Sequence, residues 1–166
     1  MDSLEEFKTK TRYCKVIYLT FTAGFLLMTL GIAAAPLLAY ASHPELSNYV
    51  YYAFSTSCHQ LDERSLHIFG FKFAVCARCA GVYFGALISM LIYPKFKRID
   101  DAKMPSYRII ALLATPLALD SLTQLLGFRE STNSLRLATG LLLGAAIPLY
   151  LLPLANRLAE AVLRSI

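Results

Sequence analysis

Four long apolar stretches, separated by short charged ones, organise this chain. From Val16 to Ala41 no charged residue occurs over 26 positions. About 20 apolar residues in a helix cross the hydrocarbon core of a bilayer, so this stretch spans with length left for tilt. Ala39-Tyr40-Ala41 has the small-residue pattern of a signal-peptidase site. The apolar run before it far exceeds the ~7–15 residues of a secretory signal core, so it reads as a retained span. The second stretch, Cys79 to Tyr93, is uncharged but short, and reaches spanning length only if its helix also takes in Phe73 to Arg78. Ile109 to Phe128 is the third, interrupted by one acid, Asp120, and Leu137 to Leu154 is the fourth. The pattern predicts an all-α membrane protein, a bundle of four transmembrane helices. The spans fall at about 16–41, 73–93, 109–128 and 136–154, within one integral membrane domain over residues 1–166.

Between the first two spans lies the one substantial segment outside the apolar stretches, residues 42–77. Pro44 suits the first turn of a helix, and Tyr49, Val50, Ala53, Phe54 and Ser57 follow at helical spacing. This predicts an external amphipathic helix lying among lipid headgroups, which delivers Cys58 and His59 at its end. Asp62-Glu63-Arg64-Ser65 reads as a turn, and Gly70 interrupts the chain before the second span. Gly81-x-x-x-Gly85 in the second span and Gly140-x-x-x-Gly144 in the fourth each place two glycines on one helix face. Such faces let backbones approach closely, so the second and fourth helices are expected to pair.

Composition agrees with this reading. Hydrophobic residues make up 57% of the chain, charged residues 16%, and the mean hydropathy is +0.52. The net charge of +5 is unevenly distributed. The N-terminal tail, the segment between the second and third spans, and the C-terminal tail hold 11 of the 16 Lys and Arg residues. Those segments share one side of a four-span protein, so the positive-inside rule predicts a multi-pass cell-membrane protein with both termini cytoplasmic. No basic patch with interleaved aromatics appears, which excludes a nucleic-acid partner from the expectation.

The chemistry concentrates in one place. Cys58-His59-Gln60 and Cys76-Ala-Arg-Cys79 put three thiols and an imidazole within 22 residues. Thiolate and imidazole are the ligands that zinc selects, and Cys58, His59, Cys76 and Cys79 together make a tetrahedral set. His67 is a further imidazole nearby. The same C-x-x-C suits thiol–disulfide exchange, with Cys58 as the resolving thiol, and an external location favours oxidation. Asp120, Thr123 and Gln124 form a polar stripe within the third span. A carboxylate there is costly and marks a functional or paired position, Arg78 and Arg136 being the candidate partners.

The motifs Cys58-His59-Gln60, Glu63-Arg64-Ser65 and Cys76-Ala-Arg-Cys79-Ala-Gly81-Val-Tyr83-Phe-Gly85 resemble one family signature. Asp120-x-x-x-Gln124 with Ser131-x-Asn133-x-x-Arg136-x-x-Thr139-Gly140 resembles its second part. The family is an uncharacterised group of small prokaryotic multi-span membrane proteins, a domain of unknown function. The resemblance implies a membrane protein and carries no established activity.

Taken together, these residues predict a zinc site at the extracytoplasmic membrane boundary. It would stand beside a polar pocket of Asp120, Gln124 and Arg136, with Asp120 as general base and an arginine recognising a lipid or a small anionic substrate. Two alternatives stand: a membrane thiol–disulfide oxidoreductase, and a non-enzymatic assembly factor or transporter subunit with a structural metal.

Overall fold

The computed structural model describes the backbone of residues 2–165 and the side chains of residues 9–162. The elements run α1 (Asp2–Tyr40), α2 (Pro44–Ser55), a 3-10 turn (Asp62–Arg64), β1 (Ser65–Ile68), β2 (Phe71–Cys76), α3 (Ala77–Phe96), α4 (Tyr107–Leu125) and α5 (Asn133–Ser165). Four helical segments are long and apolar enough to cross a membrane: Thr9–Tyr40, Ala77–Phe96, Tyr107–Leu125 and Asn133–Val162. The chain is thus the expected all-α membrane protein, with a two-stranded hairpin as its only sheet among the described residues.

Helices α3 and α5 run parallel and form the buried centre. A Cβ on Gly81 would overlap the Leu137 carbonyl, and one on Gly85 would overlap that of Leu141. In return, Cβ atoms on Gly140 and Gly144 would overlap the carbonyls of Arg78 and Val82. All four glycines of the two motifs therefore lie in one backbone-to-backbone seam. Ser89 extends it by donating to the Ala145 carbonyl at 2.9 Å. Apolar side chains of α1 and α4 mostly face outward, as lipid contact allows.

The second span begins later than expected. Phe73 to Cys76 lies in β2, and the helix starts at Ala77. The helix gains its length at the other end, running through Pro94 to Phe96. Twenty residues at about 1.5 Å each then suffice to cross the bilayer without the cysteine-bearing segment. Phe69 and Gly70, at φ +53° and +83°, form the two-residue turn with positive φ that suits a tight hairpin. The strands pair Ile68 with Phe71, His67 with Lys72 and Ser65 with Cys76, with an irregularity before His67. Pro94 removes the amide that would have bonded the Met90 carbonyl, and the Tyr18 hydroxyl donates to that carbonyl instead at 3.0 Å.

Helix α2 matches the amphipathic expectation. Ser47 and Phe54 are buried against α1, where Ser47 Oγ donates to the Ala35 carbonyl at 2.8 Å, while Tyr49 and Tyr52 point outward. At the opposite end of the bundle, buried Asn156 donates to the carbonyls of Ile99 and Asp101 at 2.8 and 3.3 Å. Lys10 pairs with Glu160 at 2.8 Å. The start of α1, the α3–α4 connection and the end of α5 therefore meet at one end, and the cysteines lie at the other.

The seam predicts an asymmetry among glycines. Gly81→Ala and Gly144→Ala should each lower stability by about 1–3 kcal/mol through forced helix separation. Gly24→Ala, with nothing within 4 Å of the added methyl, should not. Thermal unfolding of the purified protein in detergent measures the difference.

Candidate metal centre and its cationic cavity

Three separate elements deliver the thiols. Cys58 follows α2, where the amides of Ser57 and Cys58 both donate to the Phe54 carbonyl at 3.1 Å. The loop then turns through Gln60 at φ +51°. Gln60 Nε2 donates to the Tyr51 carbonyl at 2.6 Å, Lys72 Nζ donates to the Gln60 carbonyl at 2.9 Å, and Tyr51 Oη donates to the Lys72 carbonyl at 2.5 Å. These bonds staple the Cys58 loop to α2 and to the hairpin. Cys76 ends β2 and stands at the N-terminus of α3, and Cys79 lies in the first turn.

The Sγ atoms of Cys58, Cys76 and Cys79 all lie within 4.8 Å of one another, and all three thiols are free. A Zn–S bond of ~2.3 Å in tetrahedral geometry places sulfurs about 3.8 Å apart, so small rotamer adjustments close the trio around an ion. The Cys76 amide donates to Cys58 Sγ at 3.2 Å, the kind of bond that stabilises a ligating thiolate. Hydrogen bonds from the side chains of Cys58 and Cys79 hold the Cys76 thiol well below its ordinary pKa, with the Cys79 and Arg78 amides at the start of α3 adding to the effect.

His59 does not join the trio. As a neighbour of Cys58 on an extended loop it points elsewhere, is exposed, and contributes to the wall of the adjoining cavity. His67 is engaged with Asp62 at 3.3 Å. Of Cys58, His59, Cys76 and Cys79, the fold thus brings the three thiols together and leaves the imidazole beside them.

That cavity, about 330 Å³, is bounded by the three cysteines together with Arg64, Arg78 and Arg136. Asp120 and Gln124 are not on its wall and reach it through Arg78. Arg78 Nη2 donates to Asp120 Oδ2 at 2.5 Å and to Gln124 Oε1 at 3.3 Å. Arg129 Nη2 takes the other Asp120 oxygen at 2.7 Å. Arg129 gets there because α4 ends in a Schellman turn: Gly127, at φ +74°, donates to Gln124, and Phe128 donates to Thr123. Of the two partners anticipated for Asp120, Arg78 is paired and Arg136 is not, because Arg78 and Arg129 occupy both carboxylate oxygens. Nothing in the sequence singled out Arg129, since its role depends on that reversal.

Arg136 is set by a different device. Its Nη1 donates to Asn133 Oδ1 at 2.8 Å, and Asn133 Nδ2 donates to the carbonyls of Glu63 and Ser65 at 3.2 and 3.1 Å. Asn133 thereby ties the start of α5 to the turn that carries Arg64. The sequence motif contained Arg64 and Asn133, but their partners are 68 to 70 residues away for Asn133, a separation that no local pattern exposes.

Four spans, a thiol trio at one end and a cationic cavity beside it define a small helical membrane protein with a candidate soft-metal centre. The chain belongs to the family described as "Predicted membrane protein (DUF2085)", which matches residues 58–150, from Cys58 through Arg136 and beyond. An uncharacterized protein of Methanocaldococcus jannaschii is 46% identical over 149 residues, covering 84% of this chain and 93% of that protein. An uncharacterized protein of Methanothermobacter thermautotrophicus is 38% identical over 94 residues, 54% of this chain and 79% of that protein. No solved structure matches the chain significantly.

The pairing of Asp120 carries a stability prediction. Asp120→Ala leaves Arg78 and Arg129 without their carboxylate and should cost about 3–5 kcal/mol. Arg129→Gln removes a half-exposed partner and should cost under about 1 kcal/mol. Comparing the two variants by thermal unfolding tests whether the carboxylate is a structural anchor.

Proposed function

We propose that this protein holds a zinc ion on Cys58, Cys76 and Cys79 at the extracytoplasmic boundary of the membrane, with a fourth coordination position open to the cationic cavity. The observation that carries this reading is the convergence of three sulfurs from a loop, a strand end and a helix start within 4.8 Å. Three protein ligands with a free position are the pattern of zinc sites that bind or transform a further ligand. Bound there, zinc supplies Lewis acidity to that ligand. Arg64, Arg78 and Arg136 favour a negatively charged one, and His59 on the wall meets it from the outer side. Asp120 and Gln124 act by positioning Arg78 rather than as a general base, because both Asp120 oxygens already accept from guanidiniums.

A second reading keeps support from one observation. Cys76 combines a depressed thiol pKa with a place at a helix N-terminus and a C-x-x-C partner, as nucleophilic thiols of disulfide exchange do. Purified protein should contain close to one zinc per chain. Cys76→Ser and Cys79→Ser should lose the ion and much stability, since structural zinc can contribute on the order of 10 kcal/mol. Elemental analysis with thiol counting decides. Metal-free protein with all thiols titrating and unimpaired stability refutes the zinc site, and a Cys76–Cys79 disulfide favours the redox reading.

The orientation follows from the basic end. In this reading the end that gathers Lys10, the α3–α4 connection and Arg157 faces the cytoplasm. With the native cysteines replaced, a membrane-impermeant thiol reagent on intact cells should label Glu130→Cys and spare Lys103→Cys. The reverse pattern inverts the topology.

A further inference from the structure

We infer that the cavity beside the thiols is a binding site for a phosphate group, gripped by Arg64, Arg78 and Arg136. The inference shares its cavity with the metal reading and deepens it by naming the ligand, but the guanidiniums carry it with or without an ion. Arg136 is the decisive residue. It is 6% exposed, the one hydrogen bond of its guanidinium among the described residues goes to a neutral amide oxygen, and its Nε is buried with no partner. Among the described residues no carboxylate pairs with it, since at this end Asp120 engages Arg78 and Arg129, Glu63 engages Arg64, and Asp62 engages His67. A buried guanidinium without an anion is costly, and at a membrane boundary it marks a site that an anion completes.

The neighbours strengthen the point. The Nε of Arg78 is also buried without a partner, although its Nη2 is satisfied. Arg64 stands on the 3-10 turn, its side chain about half exposed, with Glu63 at 3.8 Å as a loose companion. Three cations around one small space repel each other, and an anion between them relieves that repulsion. A carboxylate brings one charge and two oxygens. A phosphate monoester brings about −1.5 to −2 charge and three acceptor oxygens, which matches three guanidiniums approaching from the turn, α3 and α5.

The phosphate could be free or the head of a lipid. Ser57 lies on the wall of the cavity and also on that of an apolar groove of about 560 Å³ between α1 and α2, so a chain attached to the phosphate has somewhere to go.

The test uses the full-length protein in phosphatidylcholine nanodiscs, with radiolabelled inorganic phosphate as one probe and added phosphatidic acid as the other. Wild-type protein should bind one of them saturably at one per chain. Arg136→Gln should weaken that binding by about tenfold or more, and Arg64→Gln by several-fold. Should Arg136→Gln fail to fold, Arg64→Gln on the half-exposed turn still decides. Binding of inorganic phosphate supports the site as one for a soluble phosphate, and binding of phosphatidic acid alone supports a lipid source. No saturable binding of either probe, or unchanged affinity in the folded variants, overturns the inference. Zinc measured in the same samples separates the two readings. Phosphate binding without zinc refutes only the metal site, and zinc without phosphate binding refutes only this one.

Discussion

Close parallel contact between α3 and α5 sets the geometry of the thiol end. Because Gly81, Gly85, Gly140 and Gly144 have no side chains, the two backbones touch, and the first contact in the seam is Gly140 against the Arg78 carbonyl. That places the first turn of α3, with Cys79 and Arg78, beside the second turn of α5, which directly follows Arg136. In lipid there is no hydrophobic drive to bring helices together, so this close packing has to come from van der Waals contact and backbone fit. A looser pairing would move Arg136 away from the thiols and open the cavity.

Helix α4 is held differently. Its single fully buried residue is Asp120, which ties it to α3, while half-buried side chains pack it along α5, where Tyr150 Oη donates to the Ser106 carbonyl at 2.7 Å. The bond to Arg78 joins α4 to α3, and the bond to Arg129 folds the chain back at the end of α4. One acid therefore positions an arginine of the cavity while neutralising part of its charge. This explains why an expensive carboxylate sits inside a span without a direct view of the thiols.

The hairpin shows how one apolar segment supports two assignments. Phe71 to Val75 is aromatic and β-branched enough for a strand and apolar enough to prolong a helix. Spanning length favours a helix only if the span ends at Tyr93. Once α3 runs on past Pro94, with Tyr18 covering the freed Met90 carbonyl, the upstream residues are not needed in the membrane. As a strand they bring Cys76 opposite Ser65 and within reach of Cys58, which a continuous helix would not do.

Much of the architecture was legible in the chain. Uncharged runs of spanning length, glycine pairs four apart and the amphipathic stretch after Pro44 are local patterns, and bilayer thickness and helix geometry convert them directly into elements. The thiol cluster was half legible: Cys76 and Cys79 are neighbours by spacing, whereas Cys58, 18 residues upstream, meets them only because the hairpin returns the chain. Tertiary structure decided the rest. His59 stands apart from the three thiols because adjacent residues diverge, Asp120 takes Arg129 rather than Arg136 beside Arg78, and Arg64 joins the cavity through the Asn133 tie. Each of those outcomes depends on side-chain direction across contacts of up to 70 residues, and periodicity along a chain carries no information about which partner lies at the far end of such a contact.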